Sequence, residues 1–183
     1  MSEEPLFEST HAALRYALNY SSEQYGENWL GKMQGGSIGS GKGLVGLDGA
    51  AQVGLILAKL MRLSEIEQAM VFARFAPRFE VCPCCGGDRE TPEWRHAVER
   101  IAAWCIPATV SHMRVRRELI AKYFGVKRVE FTTLAALCGL NRKTVAEHYA
   151  VIEKRLRGAE RGAQSVIDDL LRESGLVGEM ENA

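Results

Sequence analysis

The sequence predicts an all-α protein: a small helical domain with a C-terminal helix-turn-helix and an N-terminal Gly-rich irregular loop. Three observations lead there. Apolar residues recur at helical spacing along most of the chain. Strict apolar/polar alternation, the mark of a half-buried strand, is absent. Helix start and stop residues punctuate the apolar stretches at regular intervals.

The elements follow in order. Leu14, Ala17 and Leu18 mark a first helix, with Ser9 or Thr10 as its cap. The segment Gly31–Gly43 carries too many glycines for regular structure, because each adds backbone entropy that folding must remove. Asp48 reads as the cap of a second helix, whose stripe is Val53, Ile56, Leu57, Leu60 and Leu63. Ser64-Glu65-Ile66-Glu67 has the pattern of a capping box opening a third, with Ile66, Ala69, Met70 and Ala73 inward. Pro77 ends it. Thr91-Pro92 starts a helix with proline in its first position, and Trp94, Val98, Ile101 and Trp104 line one face. Pro107 and Ser111 introduce another, which runs to Gly125. Two short helices come next. A last helix is expected from about Ala159 to Gly175, with Val166, Ile167, Leu170 and Leu171 buried. This suggests three parts: residues 1–47, residues 48–125 and residues 126–183.

Composition narrows the class. The hydrophobic share of 46% can supply a core. No run approaches the roughly 18 apolar residues of a membrane span. Met1-Ser2-Glu3-Glu4 is acidic with no apolar region behind it, so a cytoplasmic location is expected. The five cysteines are odd in number and Cys82, Cys84 and Cys85 crowd together, which argues against a disulfide framework. The net charge of zero conceals a block: residues 111–157 hold eleven basic and four acidic residues, against two basic and six acidic in 158–183. Such a block points to a polyanionic partner, and a solvated helical face is the plainer alternative.

The densest signal runs from Phe131 to Arg157. Thr132 or Thr133 can cap a short helix, Ala135 is small where two helices cross, and Gly139 can take the positive φ of a tight turn. Leu134, Cys138, Leu140 and Val145 form the core between the helices. Asn141 caps the second helix. Arg142 and Lys143 then stand at its first turn, where recognition helices meet bases and phosphates. Thr133, Glu147, His148 and Arg155 complete the expected DNA-contacting set. A plain αα-hairpin is the alternative.

Two other motifs need weighing. Gly36–Gly43 approaches the phosphate-loop pattern, but Gly43 stands where that chemistry needs a hydroxyl for Mg²⁺, so nucleotide binding is disfavoured. Cys82-Pro83-Cys84-Cys85-Gly86-Gly87 resembles half of a zinc knuckle. Cys82 and Cys85 are its natural ligands, and Cys84, His96, Cys105 and His112 are candidates to close a structural zinc site. No nucleophile or hydrolase motif surrounds His11, His96, His112 or His148, so the expectation is a protein that is not an enzyme.

The order of these features resembles the Q-type antitermination proteins of lambdoid phages and their bacterial AlpA-type relatives. A Gly/Lys loop precedes Gly43-Leu44-Val45. An acidic cap and a helix rich in small residues follow, from Asp48 to Leu60 and on to Leu63. Next come the helix Ile66 to Phe75 and a C-terminal helix-turn-helix like the promoter-reading part of sigma factors (sigma-region-4-like). The resemblance covers residues 30–175. It implies a factor that binds double-stranded DNA overlapping a promoter through Asn141, Arg142 and Lys143. It further implies loading onto bacterial RNA polymerase while sigma is engaged, and readthrough of terminators. In that family an N-terminal portion narrows the RNA exit channel. Here the corresponding stretch is the loop bearing Lys32, Gly35, Gly36, Gly39, Gly41 and Lys42, with nascent RNA passing nearby. An ordinary helix-turn-helix regulator of initiation and a phosphate-loop protein are the alternatives.

Overall fold

The computed structural model describes residues 5–24, 44–105, 113–125 and 129–178. Seven helices and one two-stranded hairpin make up these residues. Helix α1 spans Thr10–Gln24, α2 Leu44–Leu60, α3 Glu65–Phe75, α4 Pro92–Trp104, α5 Met113–Tyr123, α6 Phe131–Cys138 and α7 Arg142–Glu173. Strands β1 (Phe79–Val81) and β2 (Asp88–Glu90) pair antiparallel between α3 and α4. None of the described helices is long and apolar enough to cross a membrane.

Local capping sets several boundaries where the residues suggest. The Ser9 hydroxyl accepts the Ala12 N–H at 3.2 Å, so Ser9 caps α1. The Ser64 N–H donates to the Glu67 carboxylate at 2.9 Å and opens α3. Thr91 accepts the Trp94 N–H at 3.3 Å and donates its hydroxyl to the Pro77 carbonyl at 2.5 Å. One side chain thus caps α4 and ties it to the end of α3.

Helix α3 is the hub. It buries Ala69, Met70, Val71, Phe72, Ala73 and Phe75, and packs on α1, α4 and α7. The Trp94 indole N–H, fully buried, donates to the Ala73 carbonyl at 3.3 Å. That bond satisfies a donor that burial would otherwise strand. A single apolar cluster runs from Ala13 to Val177. The segments flanking the helices close on each other: Phe7 and Val177 form a parallel bridge, and the Phe7 N–H donates to the Leu176 carbonyl at 3.0 Å. Thr10 hydrogen-bonds Asp168 across the same seam.

Three expectations need correction. Asp48 is not a cap, because α2 already begins at Leu44. The expected break before Ala159 does not occur: α7 is one helix of 32 residues. Gly158 and Gly162 each weaken a helix by about 1 kcal/mol relative to alanine. Both face outward, and the buried stripe Val145, Ile152, Leu156, Ala163, Ile167, Leu171 continues past them without a phase change. Burying each large member contributes about 1.5–3 kcal/mol, which outweighs the two glycines. Val166 points away from this stripe and is 39% exposed rather than buried.

Glu160 interrupts the stripe with a carboxylate. Arg74 of α3 reaches it through Nε (2.5 Å) and Nη2 (3.0 Å), and the Tyr123 hydroxyl of α5 donates to it at 2.6 Å. Arg74 also lies 5.0 Å from the centre of the Phe124 ring. Three helices therefore meet at one ion pair.

Candidate nucleic-acid interface

Helix α6 begins at least two residues earlier than its threonines suggest. Glu130 takes the extended cap conformation with no side-chain bond, and Thr132 and Thr133 sit exposed within the first turn. The reason lies in packing: Phe131 packs against Tyr149 of α7, with ring centroids 5.4 Å apart and the rings tilted by 50°. That contact draws Phe131 into the helix.

The turn is set by two residues. Gly139 adopts φ 65°, ψ 30°, a left-handed conformation that L side chains resist. The Leu140 N–H then donates back to the Ala135 carbonyl at 2.9 Å, which closes a Schellman turn. Asn141 is extended (φ −78°, ψ 140°), and its side-chain oxygen accepts the Lys143 N–H at 2.8 Å. Leu134, Ala135 and Val145 are buried between α6 and α7, with Cys138 and Leu140 partly so.

This geometry leaves Arg142 and Lys143 exposed at the start of α7. No acidic residue occupies that first turn. A helix N-terminus is positive, and two cations there oppose the dipole instead of complementing it. An anion would relieve the conflict. Lys143 Nζ lies 3.9 Å from Glu147 across one helical turn, but at 82% exposure that pair contributes little. Arg142 makes no ion pair among the described residues.

Lys122 is a cation that motif reasoning did not single out. Its ammonium lies 5.3 Å from the Phe131 ring centre and 5.9 Å from that of Tyr149. It lines an open groove with Phe131, Thr132 and Arg142. Lys122 belongs to α5, outside the motif, so only tertiary packing reveals it.

The other expected contacts separate. His148 is half-buried and Glu147 exposed on α7. Arg155 lies over the Trp104 ring at 4.0 Å, a cation–π contact that joins α7 to α4. Arg157 pairs with Glu153 at 2.7 Å, and Arg117 with Glu90. Part of the basic block thus serves internal contacts. Lys32, Gly35, Gly36, Gly39, Gly41 and Lys42 lie outside the described residues, as does His112. The sheet among the described residues is an antiparallel hairpin, not the parallel sheet on which a phosphate loop sits.

The cysteines gather at the hairpin tip. The sulfurs of Cys82, Cys84 and Cys85 lie within 4.8 Å of one another, a group that can hold a metal ion. Of the candidates to complete the site, Cys84 joins the group, and His96 and Cys105 lie outside it. His96 is exposed on α4 and outside the group, because the helix opened by Thr91 carries it away from the tip. Cys105 is buried in the core, and that burial pushes its thiol up to about 11. The Cys84 thiol, hydrogen-bonded to Cys82, holds the Cys82 thiol down at about 7.

No protein-family model matches this chain, and no characterised protein matches it.

Proposed function

We propose that this chain is a transcription antitermination factor without enzymatic activity. Helix α7 enters the major groove of a promoter-proximal DNA element by its N-terminus, with Asn141, Arg142 and Lys143 leading. The protein then joins RNA polymerase paused nearby with sigma still engaged, and carries it through terminators. The loop 31–43 narrows the RNA exit channel in this reading, and its glycines and lysines suit a confined path beside passing phosphates. A structural zinc at the Cys82–Cys85 tip belongs to the same reading.

One observation supports the DNA contact above the others. A Schellman turn and an asparagine cap present Arg142, which makes no ion pair among the described residues, and Lys143, paired only weakly with exposed Glu147, at a helix N-terminus, where phosphate binds well. The step from DNA contact to antitermination rests on the resemblance in feature order described above.

The test is multi-round transcription past an intrinsic terminator, on templates with and without the native upstream promoter region. Readthrough that rises only with that region supports the proposal. Altered initiation with unchanged readthrough would replace it with an ordinary helix-turn-helix regulator, which the α6–α7 unit suits equally.

A further inference from the structure

We propose that the β1–β2 hairpin tip binds one thiophilic divalent cation of the zinc class through the thiolates of Cys82, Cys84 and Cys85, with the fourth coordination position open to solvent. This deepens the zinc element of the reading above and is independent of DNA binding.

The backbone of the tip is built like a knuckle. Cys82 and Cys85 stand three residues apart, and Gly86 follows with φ +70°. The Gly86 N–H donates to the Cys82 carbonyl at 2.8 Å, and the Cys82 N–H donates to the Gly87 carbonyl at 2.7 Å. This double closure folds the chain around the sulfurs. Zn–S bonds of about 2.3 Å at tetrahedral angles place two thiolates about 3.8 Å apart. The three sulfurs already lie within 4.8 Å of each other, and the Cys82–Cys84 separation is 2.9 Å. Cys84 and Cys85 are exposed and Cys82 half-buried, so small rotations bring the set to that spacing.

Beyond those two backbone bonds the hairpin has little to order its tip. Each strand has three residues, and an isolated two-stranded hairpin is marginal in water. Phe79 is 43% exposed and Val81 69%, so no core among the described residues covers the sheet. Glu80 and Arg89 pair at 2.8 Å on the surface, which adds little. The base is tied by the Thr91 N–H to the Arg78 carbonyl, 3.0 Å, whereas the tip is held by its own backbone bonds alone. A metal crosslink supplies the missing restraint, because binding free energy becomes folding free energy.

Among the described residues no fourth histidine, cysteine or carboxylate joins the group. Water completes the coordination. The bound unit then carries one net negative charge, and the thiols release up to three protons to solvent as the ion enters.

The experiment titrates the reduced full-length chain with Co²⁺ under anaerobic conditions and then displaces it with Zn²⁺. One equivalent per chain is expected, with sulfur-to-cobalt charge-transfer absorption and tetrahedral visible bands. Added imidazole should shift the visible bands by entering the open position. Cys82→Ser, Cys84→Ser and Cys85→Ser should each weaken binding about tenfold or more, since even outer-shell changes weaken metal sites by 10–100-fold. His96→Ala and His112→Ala should leave the spectrum unchanged. Absence of the charge-transfer band in the wild-type chain overturns the site. Unchanged affinity in Cys84→Ser overturns the three-thiolate set. A spectrum altered by His112→Ala, or one ion shared by two chains in native mass spectrometry, overturns the open position. None of these readouts depends on transcription, so a failed metal site and a failed antitermination reading are told apart.

Discussion

Replacing Glu160 with glutamine tests whether one ion pair holds α3, α5 and α7 together. The Glu160 side chain is 12% exposed and that of Arg74 31%. Breaking a buried pair by removing one charge costs about 3–5 kcal/mol. Water reaches the partly exposed guanidinium, and the amide oxygen can still accept from Tyr123, so about 2–3 kcal/mol is the expected loss. For a chain of this size each kcal/mol moves the midpoint by about 2–4 °C, so Tm should fall by about 5–10 °C. Thermal and urea unfolding followed by circular dichroism at pH 7 reads this directly. The pH dependence gives a second check. Burial pulls the Glu160 carboxyl up, but hydrogen bonds from Arg74 and Tyr123 and the Arg74 charge outweigh it, so its pKa is lowered. A lowered carboxyl stabilises the fold above its unfolded value, about 4.3, and loses that contribution as pH falls through the folded one. The gap between wild type and Glu160→Gln should therefore narrow below about pH 4. Equal stability of the two proteins at pH 7, or a gap that stays constant into acid, would refute the reasoning. An apolar replacement of both partners, Arg74→Met with Glu160→Leu, should recover most of the loss.

Further predictions concern the proposed interface. Gly139→Ala meets open space, so its penalty is purely conformational, about 1–2 kcal/mol by urea unfolding, and Gly139→Asn should lose less. Arg142→Ala should weaken specific DNA binding by about 1–3 kcal/mol in a fluorescence titration if it reads a base edge. Lys122→Gln should instead lower affinity uniformly across sequences and reduce the salt slope by about 1, the mark of a phosphate contact. Wild-type affinity and slope in both variants would remove the α5–α7 face from consideration. Deleting residues 31–43 should leave DNA affinity intact and abolish terminator readthrough; loss of both would make the loop structural.

Capping chemistry explains which features were readable in advance. Ser9, Ser64 with Glu67, Thr91 with Pro92, Gly139 and Asn141 act on backbone groups within a few residues of themselves. Their effect does not depend on what the rest of the chain does. The helical class, the turn at Gly139 and the exposure of Arg142 and Lys143 follow from them. Asp48 and Thr132 show the limit: each has a capping side chain, yet each lies inside a helix that begins earlier. Phe131 explains the second case, since its contact with Tyr149 outweighs a local hydroxyl bond.

What the sequence alone determined about this protein is therefore local: a mostly helical fold, though not its one short hairpin, most helix starts, a tight glycine turn, and three thiols placed close together along the chain. The tertiary structure decided matters of partner and phase. It joined two expected helices into α7, because one buried stripe keeps its phase past Gly158 and Gly162. It put Arg155 on Trp104, Lys122 beside Arg142, and His96 away from the cysteines. It gave Glu160 its partners from residues 86 and 37 positions away. Spacing along a chain reports which residues share a helix face, but not which face of which other helix will meet them. That choice belongs to the packing of the whole core.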